Sequence, residues 1–126
     1  MVGIVIVSHS EKLAEGVLDA TKIMADGCPA AIAGGTDDGG YGTSFEKIRN
    51  AVLSVYSEDG VVMLMDMGSA VMTAQMVIED LGYDNVKTVD CPIAEGAVAA
   101  TLSSLCGDDL NTVIAQAELS KTESKW

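Results

Sequence analysis

Residues 1–16 read MVGIVIVSHSEKLAEG, and the run Gly3–Val7 (GIVIV) decides the fold class. An apolar run with no polar alternation suits a strand covered on both faces, as in a parallel sheet. The run stops at Ser8-His9-Ser10, and a helical pattern follows. Leu13, Val17, Ala20 and Met24 recur at helical spacing, with Ser10 placed to cap the first turn. Strand, short polar turn and helix together open a βαβ unit.

The same alternation continues along the chain. Ala30–Ala33 (AAIA), Val61–Met65 (VVMLM) and Val86–Val89 (VKTV) read as three further strands, the first of them short. Between them Phe45, Ile48, Val52 and Val55 form one helical stripe, with Ser44 as its cap. Val71, Ala74, Ile78 and Leu81 form another, closed by Gly82. Pro92–Leu105 reads as a fourth helix, with Pro92 suited to its first turn, and Asp109–Leu119 as a short fifth, with Asp108 and Asp109 as caps. The tail SKTESKW is polar and expected to fray. The expected fold is α/β: a doubly wound, mostly parallel four-stranded sheet in the order 2-1-3-4, flanked by helices. The 126 residues are expected to form a single domain, 1–126.

Composition narrows the function. Seven Lys and Arg stand against 19 Asp and Glu, a formal net charge of −12. Such a surface repels phosphate backbones, so nucleic-acid binding is disfavoured, although backbone amides can still hold one phosphoryl group locally. Hydrophobic content of 48% argues against disorder. Cys28, Cys91 and Cys106 are scattered, with neither CxxC nor Cys/His metal spacing, and read as half-buried thiols of a reducing compartment. No run reaches the ~20 apolar residues of a membrane span, and nothing resembles a signal peptide. A soluble cytoplasmic protein is expected.

His9 is the only histidine. It lies just past strand 1, and Asp66 lies just past strand 3. In the 2-1-3-4 order these strands are neighbours, about 5 Å apart, so Asp66 can reach the ring. A carboxylate on one ring nitrogen fixes the tautomer and frees the other as a nucleophile. The stretch DMGSAVMTAQ starts a helix near Gly68 or Ser69, whose free amides favour an anion beside His9. The loop AGGTDDGGYGTS, Ala33–Ser44, carries five glycines and leaves strand 2 at the same sheet edge. Ser10, Gly35, Thr36, Thr43 and Ser44 add candidate donors to this phosphate-binding cradle. Each feature also has a plainer role. A lone histidine can be a cap, and Asp66 can cap the third helix. Asp37 and Asp38 suit a solvated turn better than a metal site, and Met65, Met67, Met72 and Met76 suit core filling. Met67 and Tyr41 are alternatively the rim of an exposed docking face.

VSHS after strand 1, GGTDDGGYGTS after strand 2 and DMGSAVMTAQ after strand 3 together resemble one family. It comprises the phosphotransferase subunits of the phosphoenolpyruvate-dependent dihydroxyacetone kinases, themselves similar to enzyme IIA domains of the mannose-family phosphotransferase system. The resemblance covers essentially the whole chain. It implies that His9 is the phosphorylated histidine and Asp66 its partner carboxylate. The donor it implies is the phosphocarrier protein HPr, and the acceptor is ADP on a nucleotide-binding kinase subunit. It also implies a homodimer; the residues themselves show neither a metal cluster nor a nucleotide site, so no metal and no cofactor are expected. Two alternatives stay open. A mannose-type enzyme IIA would pass the phosphoryl group to a IIB protein. A small tetrapyrrole metal chelatase resembles the fold, but such enzymes usually need a second histidine. A nucleotide or flavin module would want GxGxxG, which is absent, and a receiver domain would want an acidic cluster after strand 1.

Overall fold

The computed structural model describes all residues, Met1–Trp126. The strands are β1 (Gly3–Ser8), β2 (Ala30–Gly34), β3 (Val61–Met65) and β4 (Val86–Val89). The helices are α1 (Glu11–Ala25), α2 (Phe45–Val55), α3 (Ser69–Leu81), α4 (Ile93–Leu105) and α5 (Leu110–Leu119). All strand pairs are parallel and the order is β2-β1-β3-β4, as the apolar runs predict. β1 is central and wholly buried because both of its faces are covered. Val5 and Val7 face α2 and α3 together with Val61, Met63 and Met65. Val2, Ile4 and Ile6 face α1, α4 and α5 together with Val62 and Leu64. Each such side chain, fully buried, contributes about 1.5–3 kcal/mol.

Caps fall where the side-chain chemistry puts them. Ser10 accepts from Leu13 N, Ser44 from Lys47 N and Asp109 from Thr112 N. Asp108 is not a cap: it accepts from the Ser103 hydroxyl instead. Pro92 sits one residue before α4 rather than in its first turn. The buried face of α1 differs from the expected stripe. Ala14, Val17, Thr21 and Ala25 face the sheet, whereas Leu13 and Met24 are 42% and 59% exposed. The reason is close approach. A Cβ on Gly34 would lie 2.6 Å from Glu11 Cα and 3.1 Å from Ala14 Cβ, so the helix rests on β2 through its small residues. On α3 the buried positions are Ala70, Ala74 and Val77, and Val71 turns outward. Of the cysteines, Cys28 and Cys91 are half-buried, but Cys106 is exposed.

Two glycine substitutions should separate contact from propensity. Gly34→Ala forces a methyl into the start of α1 and should destabilise the chain by about 1–3 kcal/mol. Gly16→Ala, in exposed mid-helix with nothing within 4 Å of the new Cβ, should stabilise it by about 0.5–1 kcal/mol. Urea denaturation of both variants checks the opposite signs.

Candidate functional site

The Asp66 N–H donates to Val7 O at 3.2 Å, so the β1–β3 ladder runs one residue past β3. That extension sets the carboxylate beside the residues leaving β1. The His9 amide donates to Asp66 Oδ2 at 3.0 Å, and the Ser8 hydroxyl donates to the same oxygen at 2.9 Å. His9 Nδ1 lies 3.0 Å from Asp66 Oδ1. The two side chains are 23% and 5% exposed, respectively. Burial pulls the Asp66 carboxyl upward, but the bonds from the His9 ring, the His9 amide and the Ser8 hydroxyl outweigh it. The net displacement is below the usual carboxylate value.

An ionised carboxylate only accepts, so Nδ1 carries a proton, and in the neutral imidazole Nε2 keeps the lone pair. Ser69 Oγ, 2.8 Å from Nε2, is then the donor to that lone pair. Ser69 begins α3, after Gly68, and the amides of Met67, Gly68 and Ser69 donate to no other group of the chain. In that tautomer a nitrogen lone pair stands next to a helix N-terminus with unpaired donors, where an anion is favoured.

The glycine-rich loop reaches this edge, but most of its donors are committed within the fold. Gly42 N donates to His9 O and Gly35 N to Ser8 O, so the loop holds the main chain around the histidine. Gly35 has φ +71°, and a Cβ there would meet Gly40 O at 2.7 Å, which is why this turn takes glycine. The Thr36 hydroxyl donates to Asp38 and accepts from Gly40 N. The Ser44 hydroxyl donates to Asp37 while it caps α2, and the Ser10 hydroxyl caps α1. Gly35, Thr36 and Ser44 thus shape the edge, and the donors expected of them are already in use, whereas the Ser10 hydroxyl only accepts, from Leu13 N, and keeps its own proton to donate. Thr43 is joined to Thr73 of α3, hydroxyl to hydroxyl, at 3.1 Å. Tyr41 is 89% exposed. Met65 is core, but Met67, Met72 and Met76 are exposed, so the expected core filling fails for these three. No three His, Cys, Asp or Glu side chains converge on a point that would hold a metal ion.

Two residues escaped the reading of the sequence. Ser8 is one; its parity with Ile4 and Ile6, which sets it on a covered face, was the available signal. Lys47 is the other. Its ammonium donates to Gly34 O at 3.0 Å, bringing the one Lys or Arg of the loop's own helix start to the end of β2. A lysine in a helical first turn carries no such signal.

A parallel 2-1-3-4 sheet with a histidine–carboxylate pair at its carboxyl edge defines a class, and the comparisons with known proteins agree with it. The chain belongs to the mannose-type enzyme IIA family: the family model described as "PTS system fructose IIA component" matches residues 3–114. The phosphoryl donor subunit DhaM of the PEP-dependent dihydroxyacetone kinase of Escherichia coli K12 is 41% identical over 121 residues. That match takes in 90% of this chain and 26% of the relative, so the chain spans about a quarter of that protein. The corresponding subunit of dihydroxyacetone kinase 1 of Listeria innocua is 39% identical over 113 residues, 90% of this chain and 89% of the relative. The crystal structure of a protein of unknown function superposes with TM-score 0.85 at 25% identity, covering 100% of this chain and 99% of that one.

The lowered Asp66 carboxyl has a stability consequence. Because it titrates lower folded than unfolded, its contribution is complete above the ordinary value of 3.8 and is lost as pH falls through the folded value. Wild type should exceed Asp66→Asn by roughly 1–3 kcal/mol near neutrality. The gap should shrink below about pH 3.8, as measured by urea denaturation across pH.

Proposed function

We propose that this chain is the phosphoryl-carrying subunit of a phosphoenolpyruvate-dependent dihydroxyacetone kinase, with residues 1–126 acting as one phosphotransfer domain. His9 Nε2 accepts the phosphoryl group from phospho-HPr and passes it to ADP held on a nucleotide-binding kinase subunit. The observation that carries this reading is the 3.0 Å bond between His9 Nδ1 and Asp66, with Nε2 turned toward the start of α3. The names of relatives 39% and 41% identical support the dihydroxyacetone pathway. The family resemblance supports a homodimer.

The transfer is in-line. The Nε2 lone pair attacks phosphorus, the P–N bond on the donor breaks, and its electron pair returns to the donor nitrogen. The His9 ring keeps its Nδ1 proton and becomes positively charged, and the Asp66 carboxylate beside it offsets that charge. The Ser69 hydroxyl leaves Nε2 and donates to a phosphoryl oxygen, alongside the amides of Gly68 and Ser69. Thr43 closes the cradle from the loop side. Met67 and Tyr41 form its rim. Discharge reverses the same steps toward ADP.

The family model's description favours a second reading, a sugar-system enzyme IIA that empties onto a IIB protein. Labelling and discharge assays test both. HPr and its kinase should phosphorylate the chain stoichiometrically, with an acid-labile, base-stable label that is absent from His9→Ala. Ser69→Ala should slow uptake by about tenfold or more. Label retained on a folded His9→Ala chain contradicts the histidine assignment. Discharge by a IIB protein but not by the ADP-loaded kinase subunit selects the sugar pathway.

A further inference from the structure

We propose that Ser8 is a positioning residue for phosphoryl uptake: its buried hydroxyl anchors the Asp66 carboxylate against His9 Nδ1. The inference rests on the reading of His9 as phosphoryl carrier. Asp66 receives three hydrogen bonds, and two of them come from His9 itself, from its ring and its amide. Ser8 supplies the third and is the one donor to this carboxylate that belongs to another residue. A carboxylate turns readily about its last torsion, which is broad and two-fold. Without Ser8, every hydrogen bond left to oppose that rotation comes from His9, and His9 is the group whose charge and contacts change during transfer.

Ser8 is well held for this task. It is 0% exposed and ends β1 opposite Gly34 of β2. Its carbonyl accepts from Gly35 N at 3.0 Å. Its hydroxyl oxygen accepts from Ser10 N at 3.0 Å, which leaves the hydroxyl proton to point at Asp66. The result is a directed chain from the Ser10 amide through the Ser8 hydroxyl to Asp66 Oδ2, in which each bond polarises the next. A serine that merely satisfied its own buried hydroxyl would need no carboxylate as partner. Here the partner is the group that sets the tautomer of His9.

The test compares wild type with Ser8→Ala, Ser8→Cys and Ser8→Thr, using the full chain. Cysteine keeps a γ atom in the site with only a weak donor, and it reports the same loss if the alanine variant does not fold. Two readouts apply. Nitrogen-15 NMR of the imidazole gives the ratio of Nδ1–H to Nε2–H tautomers without any donor protein. Rapid labelling gives the uptake rate at saturating phospho-HPr and the donor concentration at half that rate. Ser8→Ala and Ser8→Cys should lower the tautomer ratio and the saturating rate, each by about tenfold, the effect of one hydrogen bond to a charged group. The half-saturating concentration should not change, and threonine should restore both quantities to within about twofold of wild type. The proposal is overturned if Ser8→Ala or Ser8→Cys keeps the wild-type ratio or the wild-type rate, or if threonine restores neither. If wild type itself takes no label, the functional reading fails, and the tautomer ratios alone decide the role of Ser8.

Discussion

The pairing of β1 with β3 is the constraint on which the site depends. Val7 lies opposite Met65, and Asp66 N–H extends that ladder to Val7 O. This register, and no other, brings the first polar residues after each strand into contact. A slip of one residue would turn each side chain of β3 to the opposite face and carry Asp66 away from His9. Both faces of both strands are buried, so the fit of particular side chains into the two close-packed layers holds the register. The core thus determines the chemistry directly: the side chains that fill the two layers also determine where a carboxylate meets an imidazole.

The proposed anion site lies in a chain of net charge −12 and needs local compensation. It comes from main-chain dipoles. The unpaired amides at the start of α3 lie beside Ser69, whose hydroxyl meets Nε2, and the buried Asp66 carboxylate is stabilised by its own hydrogen-bond set. The acidic surface then acts at longer range, where salt screens it within about 8–10 Å. Met67 and Tyr41 are exposed at this edge, with the carboxylates of Asp37 and Asp38 beside Tyr41.

Much of this was legible in the sequence. GIVIV and VVMLM announce covered parallel strands, and the polar residues that end them, His9 and Asp66, are readable as neighbours once the strand order is chosen. Ser10, Ser44 and Asp109 are readable as caps because their oxygens accept from orphan amides. The sequence does not show how a loop closes on itself. Thr36 and Gly35 look like free donors until Asp38, Gly40 and Ser8 are seen to use them. Nor does apolar periodicity distinguish Leu13 from Ala14, because the closeness of α1 to Gly34 selects the smaller residue. The exposed methionines of α3 escaped for a related reason: a helix resting on the sheet through Ala70 and Ala74 leaves its larger apolar side chains outside.

The central claim is that Asp66 holds the Nδ1 proton and leaves Nε2 as the nucleophile. The most direct measurement is the attachment site of the phosphoryl group, read by long-range proton–nitrogen NMR of the phosphorylated chain, in which one histidine gives one unambiguous ring system. The account predicts phosphorylation at Nε2 alone, with the proton still on Nδ1. A phosphoryl group on Nδ1, where Asp66 now sits, would contradict it.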